Sequence, residues 1–88
     1  MTDDVLKQRI IHIISQLSAV RETEIKLADR LREDLGLDSV CSMELLSMLA
    51  EELDLDVPME EAAQVTTVAG TIDMARRHLA LKQQHAVS

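Results

Sequence analysis

In the stretch EDLGLDSV, residues 33–40, one hydroxyl stands among acids and aliphatics: Ser39, directly behind Asp38 and ahead of a long apolar run. A serine at such a boundary has two physical uses. Its oxygen can accept a bond from a backbone N–H that a helix start leaves without a partner. Alternatively, the same N–H groups and the helix dipole can stabilise a phosphate attached to the hydroxyl. Both uses stay open on the residues alone. Other groups offer less chemistry. Cys41 has no histidine placed with it and reads as a small, half-buried hydrophobe rather than a nucleophile, and a single cysteine makes neither an internal disulfide nor a zinc set. His12, His78 and His85 show no ligand spacing, and His12 falls in an apolar stripe where a packed or edge imidazole is expected. Glu51, Glu52, Asp54, Asp56, Glu60 and Glu61 can attract a divalent ion weakly, without the loop of an EF-hand. No base, metal set or phosphate loop can be assembled into an enzyme.

The elements that must position Ser39 follow from periodicity. Leu6, Ile10, Ile13, Ile14 and Leu17 recur at helical spacing behind Asp3 and Asp4, which suit the positive end of the dipole, so residues 4–17 form the first helix. From Ser18 to Asp38 the period fades while Ile25, Leu27, Leu31 and Leu35 remain, as in a long loop pinned to the core. Gly36 permits a tight turn, Asp38 or Ser39 can cap, and a second helix runs from Ser39 to Leu53. Pro58 ends the DLDVP break and opens a short third helix over PMEEAAQ. Thr66 or Thr67 caps a fourth helix with Val68, Ile72, Ala75 and Leu79 in one stripe. With two glycines, one proline and no aromatic residue, a strand-and-turn fold is excluded. The expected fold is all-α: a small four-helix bundle of three long helices and one short one, with a long loop between the first two. It forms a single domain over residues 1–80, and residues 81–88 are expected to fray.

On a wheel of the second helix, Leu45, Leu46, Met48, Leu49 and Leu53 share a core arc. The opposite arc carries Val40, Met43, Glu44, Ser47, Ala50 and Glu51, an exposed apolar pair between carboxylates. Adaptable apolar contacts ringed by charge suit a partner surface. Charge agrees with this. The net charge is −7, and between Glu33 and Ala75 the chain has eleven Asp or Glu and no Lys or Arg. Such a field repels nucleic acid and anionic lipid and steers toward partners with basic patches. No apolar run approaches a membrane span and no signal peptide is recognised, so a cytoplasmic monomer is expected.

EDLGLDSV, followed by MELLSMLAEELDLDVP and TTVAGTIDMARRH, resembles an acyl carrier protein of the discrete, type II kind over nearly the whole chain, most closely from Glu33 to Arg77. The resemblance implies that a phosphopantetheinyl transferase attaches 4′-phosphopantetheine from coenzyme A to Ser39. The thiol of that arm then holds acyl groups as thioesters for acyl-transferring and acyl-chain-modifying enzymes of fatty-acid or polyketide synthesis. It further implies that Asp38, Val40, Met43, Glu44, Ser47 and Glu51 meet partners, and that Leu45, Leu49 and Leu53 line an interior that shelters the chain. In this sequence Val40 stands where the family usually has Leu, Cys41 and Ala50 replace frequent acids, and Leu53 takes a position often held by Phe. Two other readings compete: an aminoacyl or peptidyl carrier, and an unmodified acidic interaction domain.

Overall fold

The computed structural model describes residues 2–87, with side chains as far as Lys82. Four helices follow one another: α1 (Asp3–Ser18), α2 (Ser39–Leu53), α3 (Met59–Ala62) and α4 (Val68–Val87), with a single 3₁₀ turn at Glu22–Glu24 in the loop before α2. This is the all-α bundle of three long helices and one short helix that the sequence pattern requires. α1 packs on both α2 and α4, while α3 packs mainly on α2.

Each helix buries the face its apolar spacing defines. Leu6, Ile10, Ile13 and Ile14 of α1 meet Leu45, Leu49 and Leu53 of α2 and Val68, Ile72, Met74 and Ala75 of α4 in one core. Burial of each Leu or Ile contributes roughly 1.5–3 kcal/mol before chain entropy is subtracted, so this shared core dominates the fold's stability. α1 begins one residue earlier than its apolar period suggests, because the Thr2 hydroxyl accepts the Val5 N–H at 3.2 Å and caps it. Met74 belongs to the α4 core face, which is therefore broader than the expected stripe, and Thr71 is buried beside it. The Thr71 hydroxyl donates to the Thr67 carbonyl at 3.0 Å, which removes the cost of burying it.

The long loop is pinned as its leucines suggest, with two adjustments. Ile25, Leu31 and Leu35 are buried, but Leu27 is 42% exposed, and Leu37 takes the inward place at 2% exposure. Leu27 serves instead through its backbone: its carbonyl accepts the Ala69 N–H at 2.9 Å, and the Asp29 carbonyl accepts the Val68 N–H at 3.0 Å. Thr67, rather than Thr66, caps α4 by accepting the Gly70 N–H at 3.1 Å, and the Thr67 carbonyl accepts from Thr71. The four N–H groups that open α4 are thus all satisfied, two of them by the loop. The Leu31 N–H returns a bond to the Thr66 carbonyl at 2.8 Å, completing the strap.

α3 is a single turn, shorter than residues 58–64, with Pro58 flanking it on extended backbone. It buries no side chain of its own. Leu55 and Val57, on the segment before it, are the buried anchors. α4 runs to Val87, past residue 80, and the tail's side chains from residue 83 onward lie outside the described residues.

Candidate functional site

Three local features set the start of α2. Gly36 adopts a φ of 69°, the left-handed region that disfavours a side chain, and lets the chain turn between two buried leucines, Leu35 and Leu37. The Leu37 N–H then donates to the Leu31 carbonyl at 2.8 Å, closing the turn. Asp38, on extended backbone, caps α2: its Oδ1 accepts the Cys41 N–H at 3.0 Å, and its carbonyl accepts the Ser42 N–H at 3.0 Å and the Ser42 hydroxyl at 3.1 Å. Ser39 is consequently the first helical residue and not the cap. It is exposed, and its hydroxyl has no hydrogen bond among the described residues. The same cap fixes the ionisation of Asp38. Bonds from the backbone and side chain of Cys41, aided by the Val40 N–H and the positive charge of Arg32, hold its carboxyl below the usual value of 3.8.

Ser39 and Asp38 border a cleft of about 460 Å³ whose lining joins the loop, the first turn of α2, and α3. Leu31, Leu37, Met43, Met59, Ala62 and Val65 supply its apolar walls, and Arg32, Glu33 and Asp38 its charges. Met59, 49% exposed, was not foreseen beside the site. Its signal in the sequence was an apolar residue directly after Pro58, at the start of a helix too short to bury it.

The α2 residues expected to meet partners lie exposed on one side of the helix. Val40 is 62% and Met43 55% exposed, and Glu44, Ser47, Ala50 and Glu51 are exposed with them. Neither Glu44 nor Glu51 has an ion pair among the described residues, whereas Asp34, Glu61 and Asp73 are each paired with a nearby Arg. Leu45, Leu49 and Leu53 lie in the core, and the cleft beside Ser39 is lined by other residues. Cys41 is half-buried, and its thiol pKa is pushed up by desolvation first and then by the neighbouring Asp38 carboxylate, so the reactive thiolate is disfavoured.

The remaining candidates take structural positions. His12 is exposed at the edge of α1, with Nδ1 3.1 Å from Glu22. His78 on α4 lies 2.6 Å from Glu61 of α3. The side chain of His85 is outside the described residues. Among the described residues no three Asp, Glu, His or Cys come together to hold a metal.

An exposed serine at a helix start, left free because its neighbour caps, is suited to carry a phosphate-linked group. The family model for the phosphopantetheine attachment site matches residues 8–75, which include Ser39 and the whole of the helix start. The chain belongs to this family. Its fold is that of acyl carrier proteins. It is similar to the solution structure of the apo doublet acyl carrier protein from prodigiosin biosynthesis, with a TM-score of 0.71 and 27% identity over 84% of this chain and 36% of that one. The chain thus spans little more than a third of the doublet's length. It is also similar in fold to the acyl carrier protein from Enterococcus faecalis, with a TM-score of 0.75 and 24% identity over 89% of this chain and 99% of that one. The family's cofactor is 4′-phosphopantetheine, held covalently. The residues present fit that group, since the exposed hydroxyl and the adjoining cleft leave room for a bulky substituent.

Proposed function

We propose that this chain is a carrier: Ser39 bears the 4′-phosphopantetheine arm, and the exposed face of α2 presents it to enzymes of fatty-acid or polyketide synthesis. One observation carries the site assignment. Asp38, not Ser39, caps α2, which leaves the Ser39 hydroxyl exposed at the helix start within the region matched to the attachment-site family. When attached, the arm supplies a terminal thiol that holds acyl groups as thioesters. The chain's own residues do the rest. The dipole of α2 favours the negative phosphate at Ser39. Val40 and Met43 offer apolar contact beside it, and Glu44 and Glu51, with Asp38 and Ser47, meet basic patches on a phosphopantetheinyl transferase and on acyl-transferring or chain-modifying enzymes. Ser39 is an attachment point rather than an activated nucleophile, and the transferase supplies the base.

No helix among the described residues is long and apolar enough to cross a membrane.

The test is loading. Apo protein is incubated with coenzyme A and a broad-specificity transferase, and intact mass is measured for the parent chain and for Ser39→Ala. One phosphopantetheine is expected on the parent and none on the variant. A parent chain that gains no mass refutes the carrier reading and leaves an interaction domain. A variant that still gains mass refutes the assignment to Ser39.

A further inference from the structure

The charges around the cleft are uneven in a way the attachment of an arm does not by itself explain. Glu33 and Asp38 line it, and Asp38 is held ionised by its cap. A phosphodiester on Ser39 adds a further negative charge to this corner, and like charges this close repel. The chain has no Lys or Arg from Glu33 through Ala75, and Arg76, Arg77 and Lys82 of α4 are engaged by Asp73, Glu61 and Asp54, which leaves the loop before Glu33 as the source of a balancing cation. Two arginines are near in sequence, and the structure distinguishes them. Arg30 is engaged, with Nε 3.4 Å from Asp34 and 4.0 Å from Glu33. Arg32 has no ion pair among the described residues, is exposed, and lines the same cleft as Ser39.

We propose that Arg32 is a positioning residue for the arm: its guanidinium binds the non-bridging oxygens of the phosphodiester on Ser39 and fixes the direction in which the arm leaves α2. The proposal rests on the reading of Ser39 as the attachment point. Guanidinium suits the task because its planar fork can engage two phosphate oxygens at once, whereas an ammonium offers only a point charge. The field of Arg32 already reaches this corner, since it helps to lower the pKa of Asp38. Leu31 is buried and bonded to Thr66 on one side of Arg32, so the arginine stands on an anchored stretch of loop.

The experiment uses the full chain, isotope-labelled, before and after loading with coenzyme A, with intact mass recorded first. On loading, the Arg32 Nε–Hε signal is expected to shift and its exchange with solvent to slow severalfold. The phosphorus resonance of the loaded Arg32→Gln variant should move and sharpen relative to the parent, with Arg32→Lys between them. Helicity should stay the same in all three, because Arg32 is exposed. A parent chain that never gains the arm's mass sinks both this proposal and the reading of Ser39. A chain that loads fully while the Arg32 signal and the phosphorus resonance ignore the substitution overturns the role of Arg32 alone. Two other results also overturn it. Slower loading of Arg32→Gln with an unchanged phosphorus resonance would place Arg32 against the transferase. An effect seen only once a carboxylate-bearing acyl group is attached would place it against the cargo.

Discussion

Two adjacent side chains share the start of α2, and the division between them decides the chemistry. Asp38 accepts the orphan N–H of Cys41, and this frees Ser39. Because that bond needs an ionised or neutral acceptor but is stronger to a carboxylate, Asp38 links the helix start to pH. Its folded-state pKa is depressed, so the native chain holds this proton less readily than the unfolded chain. The stabilisation is therefore fully present above the ordinary value of 3.8 and is lost as pH falls through the lowered one. Asp38→Asn, which keeps an acceptor but cannot ionise, should show a shallower loss of urea resistance between neutral and acidic pH than the parent, and equal slopes would refute the link. Gly36 gives a second residue-scale test. An added Cβ would touch nothing within 4 Å, so Gly36→Ala probes backbone strain alone, and the left-handed φ of 69° should cost about 1–2 kcal/mol in denaturant unfolding. The sequence narrowed the cap to Asp38 or Ser39 and no further, since both types cap well and only the backbone shows where the helix begins. It gave no sign that Ala19 and Asp54 would take left-handed positions at the ends of α1 and α2, because glycine is the usual marker there.

α3 is the element least able to hold itself. It is one turn long, buries no side chain, and contributes Met59 and Ala62 to the cleft beside Ser39. Two links connect it to α4: Glu61 to His78 at 2.6 Å and Glu61 to Arg77 at 3.4 Å. Partly exposed pairs of this kind contribute roughly 0–1 kcal/mol, too little to change global unfolding but enough to bias a single turn. Glu61→Gln should therefore speed amide exchange across α3 while leaving the thermal midpoint nearly unchanged. Slow α3 exchange in that variant would show that Leu55 and Val57 hold the wall without help. The existence of α3 was legible from Pro58 and the short run after it, and its length was not, because the residues after Pro58 carry no stop signal at Ala62. The loop shows the converse. Its pinning was legible from Ile25, Leu31 and Leu35, but the exposure of Leu27 goes with a backbone bond to α4 and the burial of Leu37 with one to Leu31, neither of which side-chain patterning encodes.

Across the whole molecule, core and charge are separated. Leu49 is fully buried at the centre of the core, and Leu49→Ala should cost about 2–5 kcal/mol, a large part of what a domain of this size has. The acids lie at the surface, some paired and some not. Several acids away from the exposed face of α2 are paired within the chain, as Asp34 with Arg30, Asp73 with Arg76, and Asp54 with Lys82, which ties the end of α2 to α4. Glu44 and Glu51 stand on α2 with no such pair among the described residues, beside Val40 and Met43. Their field is consequently available to a basic partner, and its reach is set by salt, with a screening length of about 8 Å at physiological ionic strength. Glu44→Lys should lower kcat/KM for loading by the transferase severalfold at low salt, and the deficit should shrink as salt rises, because screening removes attraction and repulsion together. Helicity and unfolding should stay close to the parent, since Glu44 is exposed. A deficit independent of salt would mean that Glu44 acts through shape rather than charge, and no deficit at all would remove it from the partner face.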